Sequence, residues 1–399
     1  IKFQIRSSGG CVKDTTKLLT TVYPRPLSGF TVLPEYCLNA SSSFTSSSVG
    51  SGSPITNWFW DFGDGSPVVN ATLATATHTY TTTGIKTIRH WIKTDKGCIS
   101  DTTVKTVTIN SLPDASFTTN APYCKGVNIT FTNTSVANSG NIVLWNWNLG
   151  DATILNLSNG NPFTHAYATP GVKTVTLKVT TDKGCVSTVY STTITINPTP
   201  VTKFTHLQAC LPSESVAFTN TTTVANGSAL SYTWNFGDAA SGVNNTSVLT
   251  SPSHYYASPG NYNVTLTATS ADGCIKDSMI TISDIYAQPR ASFTVDPENC
   301  LNIETIFTST STGSGANITN WYWDFGDGSA VNTTQNPTYT YLTANTFTVK
   351  HWVKTINNCY SDTVTHTVTV NPLPTANFNF SIPTCASKLV NFTDTSVPN

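Results

Sequence analysis

Apolar and polar positions alternate along this chain in short stretches. From Val172 to Thr180, Val175, Leu177 and Val179 share one face while Thr176 and Lys178 take the other. A period of two predicts a half-buried β-strand. A turn at Asp182-Lys183-Gly184-Cys185 follows, and a second alternating stretch runs from Thr188 to Ile196. Val, Ile and Thr are strand formers, turn signals recur about every 8–12 residues, and helical periodicity is absent. One apolar stretch returns four times: Trp60-Asp-Phe-Gly-Asp-Gly65, its intact repeat at 323–328, and the shorter forms W-N-L-G-D at 147–151 and W-N-F-G-D at 234–238. Trp60 and Phe62 are two apart and face one side, with Trp58 in the same parity, so the strand drives aromatics into a core. The Gly-Asp-Gly that follows suits a tight turn. The four tryptophans lie about 87 residues apart, the size of a small sandwich.

The expected fold class is therefore all-β, as tandem immunoglobulin-like sandwiches of about seven short strands each, arranged as an extended rod. Four full copies are expected at 26–112, 113–199, 200–288 and 289–373. Residues 1–25 read as the C-terminal part of a preceding copy: Gly10-Cys11-Val12-Lys13-Asp14 matches Gly273-Cys274-Ile275-Lys276-Asp277. Residues 374–399 read as the N-terminal part of a further one, with Ala376-Asn-Phe378 matching Ala115-Ser-Phe117. The joints carry Pro113, Pro198, Pro200, Pro289, Pro372 and Pro374, and proline makes them stiff.

W-D-F-G-D-G, then His78-Thr79-Tyr80, then Gly84 and an alternating strand, resembles the PKD (polycystic-kidney-disease repeat) domain. Thr164-His165-Ala166-Tyr167 and Ser253-His254-Tyr255-Tyr256 repeat the middle element. The resemblance covers nearly the whole chain. Copies two and three depart from it: Asn148 and Asn235 replace the first Asp, and the final Asp-Gly turn is missing. The resemblance implies an Ig-like fold in extracellular proteins, as spacer or adhesion modules. Such modules occur in long bacterial surface proteins or beside the catalytic domains of secreted proteases and chitinases.

A longer period overlies the first. Asn57-Trp-Phe-Trp-Asp matches Asn320-Trp-Tyr-Trp-Asp, and His90-Trp-Ile-Lys-Thr matches His351-Trp-Val-Lys-Thr. A three-domain unit thus repeats every 261–263 residues. Tandem duplication of this kind is expected of a fibre or stalk.

The ten cysteines occupy two positions per copy. Cys37, Cys124, Cys210, Cys300 and Cys385 lie between the first two strands. Cys11, Cys98, Cys185, Cys274 and Cys359 lie at the tip of the last hairpin. Pairing within a copy, across the nearest joint in sequence, or from one copy to the second site of the next would all keep the period. In an Ig-like copy the two positions lie at opposite poles, roughly 20 Å apart. A disulfide needs Cα atoms within about 7 Å. The expectation is therefore Cys37–Cys185, Cys124–Cys274 and Cys210–Cys359, with the within-copy bridge of many Ig folds as the alternative.

The best acidic cluster is Asp61, Asp64, Asp324 and Asp327. Hard carboxylate oxygens at a turn are calcium chemistry, but side-chain caps of a tight turn are the plainer reading. No cofactor is otherwise expected. The seven histidines are scattered, with no zinc spacing. His90 and His351 align with Leu177, which predicts partly buried imidazoles. No nucleophile elbow or paired acids appear, so no enzyme activity is expected. Phe59 and Tyr322 have the opposite parity to the core tryptophan, and Trp91 and Trp352 flank inward histidines. All four should face outward and stack across strands, a contact patch on one domain in three. Thr15, Thr102, Ser278 and Thr363 each follow an Asp three residues after a hairpin cysteine, and resemble an O-glycosylation consensus used by some bacteria. Asn70, Asn128, Asn133 and Asn245 head N-x-Ser/Thr sequons.

Composition narrows the partners. Charged residues are 10% and the net charge is −1, which gives no electrostatic case for nucleic acid. No run approaches the roughly 18 apolar residues of a membrane span. Cysteine-bearing small β-domains point to an oxidising compartment, and the expectation is a segment of a longer secreted or cell-surface protein. Its expected role is a structural fibre, stalk or adhesin, contacting other copies of the fibre or surface polysaccharide. The alternative is a spacer and carbohydrate-binding array of a secreted hydrolase.

Overall fold

The computed structural model describes residues 1–19, 21–382 and 388–398. Its described elements are β-strands, apart from one short 3-10 segment at Ala239–Asn245. The chain divides into two units, Ile1–Asn197 and Pro198–Asn399.

The first unit opens with an antiparallel hairpin, Lys2–Arg6 with Val12–Thr16, exposed at every residue. The first domain follows as two facing sheets. One runs Phe30–Thr31, Ser41–Ser46, Thr75–Thr79 in spatial order. The other runs Glu35–Cys37, Thr103–Asn110, Gly84–Thr94, Ile55–Asp61, Val69–Ala71. All neighbours are antiparallel except Glu35–Cys37, which lies parallel to Thr103–Asn110. The alternation of Gly84–Thr94 resolves as expected: Ile88, His90 and Ile92 are buried while Arg89 points out. Between the sheets Phe30, Phe44, Trp60, Phe62, Tyr80, Ile88, Val107 and Ile109 form one core, with Trp58 against its edge. This is an immunoglobulin-like sandwich.

The second domain repeats the plan with Phe117–Thr119, Asn128–Asn133 and Phe163–Ala166 facing Ile154–Leu157, Ile142–Asn148, Gly171–Thr181 and Tyr190–Ile196. The last strand begins two residues later than the alternation alone predicts, at Tyr190.

In the second unit, the third domain sets Phe204–His206, Val216–Asn220 and Ser253–His254 against a five-stranded sheet centred on Gly260–Ser270. The fourth sets two short pairs against Glu298–Cys300, Val364–Asn371, Thr346–Thr355 and Ile318–Asp324. A last pair, Phe378–Phe380 with Phe392–Asp394, follows.

The short parallel strand is absent from the sequence reading, which placed the first-site cysteines in a turn. Three residues are too few to show alternation. Its effect is positional: Cys37 lies opposite Asn110, Cys210 opposite Tyr286 and Cys300 opposite Asn371. Cys124 makes the same parallel bridge with Asn197.

The glycine after each buried Trp-x-aromatic (Phe, or Leu149 in the second domain) has a steric reason. Gly63, Gly150, Gly237 and Gly326 have φ near +71° to +81°, and a Cβ there would collide with the backbone of Thr87, Thr174, Asn263 and Thr348 respectively. Positive φ and close approach both require glycine. Gly171, at φ +112°, has open space around it. Gly171→Ala should therefore cost about 1–2 kcal/mol, the strain of positive φ alone, and Gly150→Ala distinctly more. Hydrogen exchange resolved over the second domain checks the order of the two.

Candidate functional site: the turn clamp, the staples and the aromatic face

The acids of the repeated motif are caps and clamps. Asp61 Oδ1 accepts from Gly63 N at 3.0 Å, and Asp324 Oδ1 from Gly326 N at 3.0 Å. Asn148 and Asn235 do the same through their amide oxygens, at 3.0 and 2.9 Å. A neutral amide serves as well as a carboxylate at this position, which marks it as a backbone cap. Asp61 also meets Arg89 at 3.3 Å and Asp324 meets Lys350 at 3.2 Å.

The second acid is present in all four copies and faces inward along the turn. Asp64 accepts from Ser66 N at 3.1 Å, from Ser66 Oγ at 2.6 Å and from His78 Nε2 at 2.6 Å. Asp151 receives His165 at 2.7 Å and Asp238 receives His254 at 3.1 Å. In the fourth domain Tyr339 replaces the histidine and donates to Asp327 at 2.6 Å. The rings lie flat on the motif's aromatic: His78 on Phe62 at 4.2 Å, His254 on Phe236 at 4.3 Å, Tyr339 on Phe325 at 4.0 Å. Two residues on, Tyr80, Tyr167, Tyr256 and Tyr341 donate to the carbonyls of Phe62, Leu149, Phe236 and Phe325 at 2.8–3.2 Å. Burial pushes these four hydroxyls above their ordinary pKa. Partial burial also pushes the Asp64 carboxyl up, but hydrogen bonds from Ser66 and His78 outweigh it and bring the pKa down to about 2. Asp151 and Asp327 are lowered in the same way. The sequence reading treated these histidines as scattered. The signal that points to the clamp is a ring-bearing residue at a similar step after the second acid, 14 residues in the first two domains, 16 from Asp238 to His254 and 12 from Asp327 to Tyr339.

The oxygens of Asp61, Asp64, Asp324 and Asp327, the candidate calcium ligands, are thus engaged by protein donors. Among the described residues no group of three or more His, Cys, Asp or Glu is placed to hold a metal ion.

In the first unit Cys37 bonds Cys185, with Cα atoms 5.4 Å apart. In the second, Cys210 bonds Cys359, with Cα atoms 5.6 Å apart. Each joins the exit pole of one domain to the hairpin tip of the next. Lys183 Nζ lies 3.1 Å from Glu35 Oε1 beside the first bond, and Gln208 Nε2 donates to Asn357 O at 2.9 Å beside the second. Cys124 and Cys274 are buried and are not free thiols. Cys98 is free, so the within-copy bridge Cys37–Cys98 is not formed; Cys11 and Cys300 are free as well. Cys385 lies outside the described residues.

Phe59 faces Trp91 in register, ring centroids 5.4 Å apart and planes 6° from parallel. Tyr322 and Trp352 repeat this at 5.3 Å and 7°. Both pairs are half-buried, each ring covering its partner on the outer face. Asn146 opposite Lys178 and Thr233 opposite Thr267 occupy these positions in the second and third domains. Beneath each pair lies a fully buried histidine. His90 donates from Nδ1 to Phe59 O at 2.9 Å, accepts at Nε2 from Ser46 and Ser48, and stacks on Trp60 at 3.9 Å. His351 does the same with Tyr322 O, Ser309, Ser311 and Trp323. Burial, partly opposed by the carbonyl, lowers both pKa values. Thr15, Thr102 and Thr363 are exposed and Ser278 is half-buried on the long strand Ile275–Ala287.

A family profile described as the PKD domain matches residues 33–109, 110–196, 197–283 and 286–370. The chain is 34% identical over 175 residues to the pre-pro-metalloprotease PrtV of Vibrio cholerae, over 43% of this chain and 18% of that protein. It therefore spans less than a fifth of the curated relatives it matches. Among solved structures, the PKD1 domain of the V. cholerae metalloprotease PrtV is 30% identical, covering 21% of this chain and 98% of that one at a TM-score of 0.19. The PKD1 domain of Vibrio anguillarum Epp is 25% identical, covering 22% and 95% at a TM-score of 0.19.

Two pH responses follow. The unfolded Asp64 carboxyl titrates near its ordinary value of about 4, the folded one at about 2. The clamp's contribution is complete above about pH 4 and is lost as pH falls toward 2. Asp64→Asn should flatten that loss in the first domain, read by hydrogen exchange across an acid series. The buried imidazoles behave differently. An unfolded histidine takes up its proton near pH 6.5, before the buried ones do, so the first and fourth domains lose stability as pH drops below about 6.5. His90→Leu, the residue type at the matching Leu177 and Leu266, should remove that loss from the first domain.

Proposed function

This chain belongs to the PKD domain family, and from that we propose that it is a non-catalytic structural repeat segment of an extracellular fibre, stalk or adhesin. The observation that carries this is the pair of disulfides that join successive domains, Cys37–Cys185 and Cys210–Cys359. A bond between two folded domains adds little to the core of either. What it limits is bending and twisting at the joint, which is what a load-bearing spacer needs. Persisting disulfides fit an oxidising, extracellular setting. The acids and histidines of the motif fit this role too: they cap and lock a turn. No helix of the described residues is long and apolar enough to cross a membrane, and the proposal includes neither membrane insertion nor nucleic acid as a partner.

The alternative is a spacer and carbohydrate-binding array of a secreted hydrolase, favoured by the similarity to a metalloprotease precursor. In both readings the pairs Phe59–Trp91 and Tyr322–Trp352 are the contact face, toward neighbouring copies or toward a polysaccharide. Thr15, Thr102, Ser278 and Thr363 are proposed glycan sites, to be sought by intact-mass analysis of the native protein.

Cys185→Ser with Cys359→Ser should leave each domain folded but broaden the distribution of inter-domain distances within each unit. Double electron–electron resonance across the first two domains measures this, and an unchanged distribution would overturn the stiffening role. Trp91→Thr with Trp352→Thr should abolish lateral association in sedimentation if the face packs on copies. The same change should abolish retention on insoluble polysaccharide, with association intact, if it stacks on sugars.

A further inference from the structure

In three domains the inward acid of the motif has both carboxylate oxygens engaged. Oδ2 meets the ring of the clamp. Oδ1 accepts from the backbone two residues on: Ser66 N to Asp64 at 3.1 Å, Thr153 N to Asp151 at 3.1 Å and Ser329 N to Asp327 at 3.0 Å. The third domain breaks this pattern at Asp238. After it the chain takes the 3-10 excursion Ala239–Asn245, with Gly242 at φ 60°. The excursion closes on itself. Asn245 Oδ1 accepts from Asp238 N at 2.7 Å, Ser241 N and Oγ donate to the Asp238 carbonyl at 3.0 and 2.7 Å, and Phe236 N donates to Asn245 O at 2.9 Å. These bonds use the backbone of Asp238 and leave its side chain out. Oδ2 still accepts from His254 Nε2, at 3.1 Å. Oδ1 has no donor among the described residues.

A carboxylate oxygen without a donor is ordinary in water and costly here. Asp238 is 7% exposed and His254 5%. A buried acceptor left unmet costs the desolvation of the group, and more when the group is charged. Asp238 borders a cavity of about 520 Å³, the size of a small-molecule site. Asp238, His254 and Phe236 are its buried floor, with the imidazole flat on the Phe236 ring at 4.3 Å. Asn244 and Thr246 line it from the end of the excursion, both exposed and with side chains bonded to no described residue. Leu249 and Tyr255 are its exposed apolar mouth.

This lining selects a chemistry. The ligand must donate to Asp238 Oδ1. It needs no positive charge, because His254 already faces the carboxylate and no second acid lines the cavity. An amide and a hydroxyl both donate and accept, so Asn244 and Thr246 match neighbouring hydroxyl groups. The ring of Tyr255 and the side chain of Leu249 match an apolar C–H face. A compact frame with hydroxyls on its rim and an apolar face is a sugar ring. An organic ammonium would also satisfy Oδ1, but it would leave the amide and the hydroxyl unused.

We propose that the third domain binds one neutral pyranose unit in this cavity. A ring hydroxyl donates to Asp238 Oδ1, and its neighbours meet Asn244 and Thr246. The site lies within a single domain and uses neither the aromatic pairs nor the joints. It adds a second place for carbohydrate to the array, and it stands or falls apart from the aromatic face. A single unit held by a few hydrogen bonds binds weakly. Free glycoside in solution is therefore the readout, and retention on a solid is not.

The test titrates the whole chain with the methyl glycosides of glucose, galactose, mannose and N-acetylglucosamine, and with methylammonium as the cationic probe. Saturation-transfer NMR reads binding, and hydrogen exchange of segment 239–246 reads its place. At least one glycoside should bind and slow exchange across that segment, with no competition from methylammonium. Asp238→Asn should weaken that glycoside about ten-fold or more, the size of a lost hydrogen bond to a charged group. Asp238 also holds the clamp, so a second variant spares it: Asn244→Ala with Thr246→Val, both at exposed positions, should keep the fold and lower affinity about three-fold or more. Trp91→Thr with Trp352→Thr should leave the affinity unchanged. The proposal is overturned if no glycoside binds, if methylammonium displaces the glycoside, or if the Asn244→Ala, Thr246→Val pair binds as well as the parent. Loss of binding on Trp91→Thr with Trp352→Thr would also overturn it, and would place the sugar on the aromatic face instead.

Discussion

Each domain depends on one close contact, the approach of the Trp-x-aromatic strand's end to the strand that begins near the next Gly. At Gly63 the backbone passes so near Thr87 that no side chain fits between them. That proximity seats Trp60 and Phe62 at the centre of the core. It also fixes the turn that follows, where Asp64, His78 and Tyr80 close over it. A domain of this size has little interior to bury, and small domains are marginal on area alone. Four large rings stacked edge and face supply much of that interior. The buried Tyr hydroxyl and the inward acid then satisfy the polar atoms that the turn brings with it. Removing the acid leaves a histidine stacked on apolar rings without its acceptor, so the clamp and the core stand together.

The same frame carries two kinds of domain. In the first and fourth, a histidine replaces the core leucine and an aromatic pair replaces Asn–Lys or Thr–Thr on the outer face. These changes are linked through one peptide: the carbonyl that accepts from His90 belongs to Phe59, whose ring lies under Trp91. The inner hydrogen bond and the outer stack therefore hold one residue from both sides of the sheet. A sheet edge or face that is aromatic on one domain in three gives any binding along the array a spacing set by the three-domain period.

The sandwich, the four copies, the inward tryptophans and the outward pairing of Phe59 with Trp91 were legible because they follow from period-two alternation and parity. The clamp was not, because its partners lie 12 to 16 residues apart, the acid in a turn and the ring on a strand, and a lone histidine carries no period. The strand Glu35–Cys37 was not, because three residues show no alternation and its partner is 73 residues away, Glu35 against Thr108. The acids were legible as caps, but the equivalence of Asn148 to Asp61 needed the hydrogen bond to Gly150 to be seen. Cys385 falls outside the described residues.

That short parallel strand explains why the cysteines look to a neighbouring domain rather than to each other. It brings Cys37 beside Asn110, one residue before the linker Ser111-Leu112-Pro113, and brings Cys210 beside Tyr286, just before Gln288-Pro289. Among the described residues the first-site cysteine is therefore placed where the chain leaves the domain. The second-site cysteine is at a hairpin tip that the antiparallel strands carry back to the domain's entrance. Exit of one domain and entrance of the next must meet, because a linker of a few residues joins them. Two covalent ties then run side by side, one peptide and one disulfide, and a joint held at two points cannot swivel about either.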